Sequence, residues 1–239
     1  MNITIIANGE FPHSVEPLSY LRKAEQVVCC DGAFEKYLRW RISLSHPLQA
    51  LCDNSHIIGN QPVTIVGDGD SMSPAVWAEA EALGLHPDRI KISEQETNDL
   101  TKAVTHTILH SRQEGIPDCD IHITILGATG LREDHTLGNI SLLGHYAEQY
   151  PVIEFRMVSD YGIFRPVRGR SAFDTFPGQQ VSIFSLTPDT PVSVEGLRYP
   201  LAGRPLRQWW EGSLNEALGD RFTVEGGLLI VYLTPTHND

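Results

Sequence analysis

The sequence predicts an N-terminal α/β domain, doubly wound around a mostly parallel sheet over residues 1–150, followed by a C-terminal all-β sandwich over residues 151–239. Three observations predict it. Short apolar runs alternate with longer helical patterns as far as Tyr150. Beyond Pro151 strand-like runs continue, punctuated by Pro and Gly, while helical periodicity fades. The chain has 239 residues, 41 % of them hydrophobic, which is enough for two modest cores.

In order, Ile3 to Ala7, Val27 to Cys30, Val63 to Val66, Ile90 to Ile92 and Ile121 to Leu126 read as buried parallel strands, apolar throughout because both faces are covered. Helical patterns lie between them. The clearest runs from Asn98 to Glu114, with Leu100, Val104 and Ile108 on one stripe; another follows Asp134 and carries Leu137, Ile140 and Leu143. In the second region Val152 to Val158, Tyr161 to Val167, Gln180 to Leu186, Val192 to Val194 and Leu228 to Leu233 are strand-like. No internal repeat or low-complexity segment interrupts either region.

A formal net charge of −12 argues against a nucleic-acid partner, which calls for a clustered positive surface, and favours a cationic or metal-bound ligand. No apolar run reaches the 18 residues of a membrane span, and the opening MNITIIANGE lacks the basic start of a signal peptide, so a cytoplasmic protein is expected. Cys29, Cys30, Cys52 and Cys119 show no CxxC spacing and are expected to be reduced and mostly buried.

Ligands of an open α/β sheet collect beyond the carboxyl ends of its strands. Four such ends carry chemistry: CCDGA (29–33), VGDGDS (66–71), EQETNDLTK (94–102) and LGATGLREDH (126–135). Asp31, Asp68, Asp70 and Asp99 all fall at these ends and are expected to converge. Two carboxylates about 4 Å apart repel by about 4 kcal/mol at an effective dielectric of about 20, so the cluster calls for a divalent cation. Mg²⁺, held by one or two carboxylates together with substrate phosphates, suits Asp68, Asp70 and Asp99. A solvated Asp-Gly turn is the alternative for GDGD taken alone. The ligands of a calcium EF-hand are missing after Ser71.

Thr97 or Asn98 can cap the helix that follows, placing Asp99 in its positive first turn with Lys102 on the same face. Lys102 either pairs with Asp99 or touches a phosphate. In the Gly-rich turn at Gly127 to Gly130, backbone N–H groups can cradle phosphate and Arg132 can clamp it, with Asp134 and His135 entering the next helix. The turn is neither a Walker loop nor a GxGxxG fingerprint. His106 and His110 lack a third ligand and read as exposed helix residues; Trp209 and Trp210 read as packing residues of a domain or subunit contact, with stacking on a ligand as the alternative.

Taken in order, CCDGAFEKY, VGDGDS, QETNDLTKAV, GATGLREDHTLGNI and the late GSLNEAL resemble the thiamine pyrophosphokinase family. The resemblance covers residues 27 to 140 specifically and Val181 to Leu233 more weakly. It implies ATP and thiamine as substrates, diphosphate transfer, and a homodimer with active sites between subunits. It further implies that Asp68, Asp70 and Asp99 hold Mg²⁺ on ATP, that Asp31 shapes the acidic pocket, and that Gln95, Lys102, Gly127, Arg132 and Asp134 face nucleotide, phosphate or the thiamine hydroxyl. Ser213 and Asn215 match the family's late Ser-Asn pair, here separated by Leu214, and one of them would meet thiamine. Asp31 or Asp134 would accept the hydroxyl proton. The competing readings are a diphosphokinase for another alcohol, such as a hydroxymethylpterin, and a non-catalytic nucleotide-binding module.

Overall fold

A computed structural model describes residues 1–44, 61–69 and 72–235, so Cys52, Asp70 and Ser71 lie outside the described residues. The chain divides into two compact units, Met1–Thr136 and Leu137–Asp239.

The first unit runs β1 (Asn2–Ile6), α1 (Val15–Lys23), β2 (Gln26–Cys30), α2 (Ala33–Leu44), β3 (Val63–Gly67), α3 (Pro74–Ala82), β4 (Asp88–Lys91), α4 (Asp99–Gln113) and β5 (His122–Leu126). Its strands are parallel in the order β5-β1-β2-β3-β4, with Ile3 opposite both Gln26 and Ile123. The chain steps outward from β1 to β4 and returns through α4 to β5 on the far side of β1. Right-handed crossovers therefore put α4 on the face opposite α1 to α3. This is the doubly wound arrangement, and its switch point lies between β1 and β5.

Burial follows the residue types. β2 and β3 are buried along their whole length, whereas β4, with Asp88, Arg89 and Lys91, is largely exposed and ends the sheet with charges that discourage further pairing. The strand expected at Ile90 to Ile92 therefore begins earlier, at Asp88, because backbone pairing with β3 rather than apolar content defines it. Leu100, Val104 and Ile108 form the buried stripe of α4, as expected, and α4 packs on β2 and β3. α5 (Glu133–Gln149) buries Ile140 and Leu143, but Leu137 is exposed, in contrast to the predicted stripe.

Cys29 and Cys30 are buried free thiols; Cys119 is free but exposed, on a single 3₁₀ turn at Asp118–Asp120. His106 and His110 are half-buried rather than exposed, their rings stacked 5.9 Å apart. Burial, and then the charge of His110, depress the His106 pKa. A histidine whose folded pKa is lowered takes up its proton more readily when unfolded, so the stability it supports is full above the unfolded value and falls as pH drops below about 6.5. Thermal melts of His106→Gln are expected to lose less stability than the parent between pH 7.5 and 5.5.

The second unit, past α5, is antiparallel. It comprises β6 (Glu154–Ser159), β7 (Gly162–Asp174), β8 (Gln180–Ser185), β9 (Pro191–Glu195), β10 (Leu201–Pro205), β11 (Asn215–Glu216) and β12 (Arg221–Leu233). β12 pairs with β7 along its length, with a register shift between Gly226 and Leu228. Its other edge is shared: Thr223 to Glu225 pair with β9 and Leu229 to Leu233 with β8. Alternation along these strands turns Phe173, Val181, Ile183, Val194, Phe222 and Val231 into one core, where Phe173 and Phe222 stack at 5.0 Å. The expected strands are all present, with β7 and β12 longer than their apolar runs and β10 and β11 additional.

Candidate active site

The loops at the switch point interlock. Ala7 N–H donates to Leu126 C=O at 2.8 Å, Gly9 N–H to Gly127 C=O at 2.6 Å and Glu10 N–H to Thr129 C=O at 2.9 Å. A Cβ on Gly9 would lie 2.4 Å from the Gly127 oxygen, and one on Gly127, whose φ is +64°, would lie 2.5 Å from the Ala7 oxygen. Two facing glycines are what let the backbones approach. A Cβ on Gly130 (φ +75°) would meet the Glu10 carboxylate, which lies against the turn. From α2, the Lys36 ammonium donates to the carbonyls of Asn8 and Gly9 at 2.9 and 2.6 Å. Sequence reasoning passed over Asn8 to Glu10, although the strand-end criterion applied to β1 points to them.

Asp31, directly after β2, is buried at 3 % exposure. Its N–H donates to Val66 C=O at 2.9 Å, and its own carbonyl accepts from Phe34 at 3.1 Å. A Cβ on Gly67 would sit 2.6 Å from the Asp31 Cβ, so a glycine at the end of β3 makes room for this carboxylate. Burial pushes the Cys30 thiol well above its usual pKa, and the negative charges of Asp99 and then Asp31 push it further. Both acids thus act electrostatically on the buried thiol at the end of β2. Asp31 Oδ1 is buried without a hydrogen-bond partner among the described residues. Asp68 follows β3 and is half-buried. Among the described residues no group of three or more His, Cys, Asp and Glu side chains is arranged to hold a metal.

The start of α4 is organised by side chains. Asn98, rather than Thr97, is the cap, its Oδ1 accepting from Thr101 N–H at 2.9 Å. Thr97 instead donates through its hydroxyl to Glu94, which also accepts from the N–H groups of Glu96 at 2.7 Å and Thr97 at 3.0 Å. These bonds, the Thr97 hydroxyl foremost, hold the Glu94 carboxyl below its ordinary pKa. Gln95 is exposed on the same loop. Lys102 is buried at 6 % exposure, with its ammonium 3.5 Å from Asp99 Oδ1. A buried ammonium at that range from a half-exposed carboxylate is incompletely paired.

At the start of α5, Arg132 grips Asp134 in two-point fashion, Nε to Oδ1 at 3.0 Å and a guanidinium NH₂ to Oδ2 at 2.6 Å. The Arg132 bond is the first cause that holds the Asp134 carboxyl low; the same contact raises the Arg132 pKa. Both side chains are exposed. Leu131, just before them, has φ +64° and is 72 % exposed, a strained and solvated leucine.

In the second unit the Asn215 amide is committed. Its Oδ1 accepts from Tyr199 N–H at 3.0 Å and Glu216 N–H at 2.9 Å, and its Nδ2 donates to Tyr199 C=O at 2.8 Å. Ser213 donates to Trp210 C=O at 2.8 Å and is half-buried, its hydroxyl retaining acceptor capacity. Between them Leu214 has φ +58° and is 80 % exposed. Asn215→Ala is expected to cost at least about 2 kcal/mol in urea denaturation, because it orphans three backbone groups at a part-buried site. Trp209 lies 5.6 Å from the Phe184 ring, whereas Trp210 is 72 % exposed and does not fill the core of its own chain.

An open doubly wound domain with buried acid at its strand ends and interlocked glycine turns at its switch point, followed by an antiparallel unit, defines an α/β protein of the class that takes its ligand beyond the strand ends. Comparison with known proteins is specific. The thiamin pyrophosphokinase catalytic domain matches residues 18–154, more than half of the chain, and the thiamin pyrophosphokinase substrate-binding domain matches residues 162–232. The chain belongs to the thiamin pyrophosphokinase family. It is similar to thiamine pyrophosphokinase 1 of Oryza sativa subsp. japonica, 29 % identical over 143 residues, which is 60 % of this chain and 51 % of the rice protein. The match thus spans about half of that relative's length. Solved structures share the fold: thiamin pyrophosphokinase from Candida albicans has a TM-score of 0.75 at 20 % identity, covering 98 % of this chain and 90 % of that one. The enzyme from Bacillus subtilis has a TM-score of 0.70 at 22 % identity, covering 98 % and 99 %. Among the described residues no helix is long and apolar enough to cross a membrane.

Proposed function

We propose that this chain transfers a diphosphate group from ATP to the primary hydroxyl of thiamine, giving thiamine diphosphate and AMP, in the cytoplasm. The observation that carries the reading is the buried Asp31 carboxylate, one oxygen unpartnered among the described residues, at the strand ends of a chain matched by both domains of one family. Residues 1–150 would bind ATP and residues 151–239 thiamine.

By the chemistry of their donor atoms the acids at this edge suit a magnesium ion. Asp31 Oδ1 is buried and unpartnered among the described residues, and the donors at this edge, Asp31, Asp68 and Asp99, are hard oxygens. Asp68, Asp70 and Asp99 would hold the ion, with Asp31 completing the acidic pocket. Mg²⁺ there would neutralise charge on the transferred phosphates. Lys102 would meet phosphate from its buried position, and Arg132 would exchange one carboxylate oxygen of Asp134 for a phosphate oxygen. Gln95 and the backbone at Gly127 would line the nucleotide. Of the two acids proposed to take the hydroxyl proton, Asp31 is the better, because its two-point pairing with Arg132 makes Asp134 a weak base.

In the second unit Ser213, with its free acceptor capacity, is the better thiamine contact, and Asn215 shapes the loop beneath it. Exposed Trp210 and Leu214 support a homodimer in which subunits complete one another's sites. A monomer by light scattering at micromolar concentration would overturn the shared site. The reaction is tested by mixing protein, ATP, Mg²⁺ and thiamine and resolving the nucleotides. AMP formed only with thiamine supports the reading; ADP, or AMP formed only with a hydroxymethylpterin in thiamine's place, overturns it, and absence of turnover favours a binding module.

A further inference from the structure

A cavity of about 600 Å³ opens beside α1 and α2, next to the loop that follows β1. Its walls include Phe11, His13, Arg22, Lys36, Arg39 and Trp40, and among the described residues that line it there is no Asp or Glu. The described side chains that line it carry cations, and Glu35 and Glu79 stand against one of them, Arg39.

Lys36 and Arg39 are held in different ways. Lys36 is held by two backbone carbonyls, whose dipoles orient the ammonium but leave its full charge in place. Burial lowers its pKa, which fits an ammonium short of counter-charge. Arg39 contacts Glu35 at 3.3 Å and Glu79 at 3.5 Å, but all three side chains are over 40 % exposed, and such surface pairs are worth at most about 1 kcal/mol. A doubly charged phosphate makes stronger, two-point contacts with a guanidinium. The remaining wall is apolar and aromatic: the Phe11 and Trp40 rings lie 6.4 Å apart at 43°, and Leu18 is buried beside them. Trp40 is itself 9 % exposed and also packs on Tyr37 at 5.8 Å, so it shows the cavity a rigidly held part of its ring beside the half-buried Phe11.

We infer that this cavity binds a phosphate ester carried on a flat aromatic ring, the phosphate meeting Lys36, Arg39 and Arg22 and the ring meeting Phe11 and Trp40. None of Asp31, Asp68 and Asp99 lines it, so binding here needs no divalent ion. Two participants in the proposed reaction, AMP and thiamine diphosphate, carry this chemistry, and to that extent the choice of ligands rests on the proposed function. Lys36 links the cavity to the interlocked switch-point loops through Asn8 and Gly9, giving an occupant a path to the active site.

Isothermal titration in EDTA tests it, with AMP, thiamine diphosphate and inorganic phosphate added separately to the full chain. Saturable binding of AMP or thiamine diphosphate is expected, at least about tenfold tighter than inorganic phosphate and weakened at least about tenfold in Arg39→Gln and in Trp40→Leu. Far-UV circular dichroism confirms that each variant is folded; should Trp40→Leu unfold, Arg22→Gln, at a half-buried rim position, replaces it with the same expectation. No saturation by either ester up to about 5 mM, or affinities unchanged in the folded variants, would overturn the site. Phosphate binding as tightly as the esters would overturn the aromatic part of it. Turnover of thiamine with Mg²⁺ but no binding in EDTA would sink this site alone, whereas binding in EDTA without turnover would sink only the proposed reaction.

Discussion

Asp31→Asn is expected to lower kcat/KM for AMP formation by at least about a hundredfold while leaving the melting temperature no lower than that of the parent. The two halves have separate causes. Asparagine keeps the shape of the side chain but removes the charge proposed to face the metal and the hydroxyl proton, and loss of one preorganised electrostatic contact commonly costs two to three orders of magnitude, about 10²–10³. Stability moves the other way, because the folded protein carries a carboxylate at 3 % exposure with one oxygen unpartnered among the described residues. Neutralising it relieves a desolvation cost. Asp70→Asn is expected to share the loss of activity. Near-normal turnover in soluble, folded Asp31→Asn would take Asp31 out of the chemistry, and a sharp fall in melting temperature would show that its charge is structural.

Gly127→Ala is expected to destabilise the protein by about 2–4 kcal/mol and to depress activity with it. The φ of +64° alone costs an L-residue about 1 kcal/mol, and the new methyl would lie 2.5 Å from the Ala7 oxygen. Relief requires the β1 and β5 loops to separate, breaking the bonds from Gly9 and Glu10. Gly84→Ala is the control: its φ is +69°, but nothing lies within 4 Å of the added carbon, so only the conformational part should appear. Urea denaturation of the two variants isolates the clash as their difference. Equal losses would mean that the loops are not interlocked as described.

Much of the fold was legible because hydrophobic period is a local property. Leu100, Val104 and Ile108 recur at helical spacing and are buried in α4, and the apolar runs of β2 and β3 need cover on both faces, which the parallel sheet provides. Legibility failed where pairing rather than composition makes an element. β10 and β11 carry Gly, Arg, Pro, Asn and Glu and exist through backbone bonds to β9 and β8. Leu137 follows the apolar stripe yet faces solvent, because neighbours decide which part of a stripe is covered.

The site shows the same division. Residue type and strand-end position singled out Asp31 and Asp99, since carboxylates at the carboxyl edge of a parallel sheet have few purely structural uses. Local spacing also placed Arg132 and Asp134 on one turn, but two-point pairing between them is a matter of rotamer and geometry. The commitment of Asn215 to Tyr199, 16 residues away, could not be read from a Ser-Leu-Asn triplet. Nor could the cationic cavity, whose residues are scattered from Phe11 to Leu44 and form no motif.

By itself, the amino-acid sequence determined the class of fold, the order of its strands along the chain and the acidic chemistry at their ends, because periodicity and charge are carried by neighbouring residues. Only the tertiary structure decided which carboxylate is buried, which amides are already spent on backbone, and where the cations of α1 and α2 gather. Those depend on distances between segments far apart in the chain, set by sheet order and by the closeness that Gly9, Gly67 and Gly127 allow.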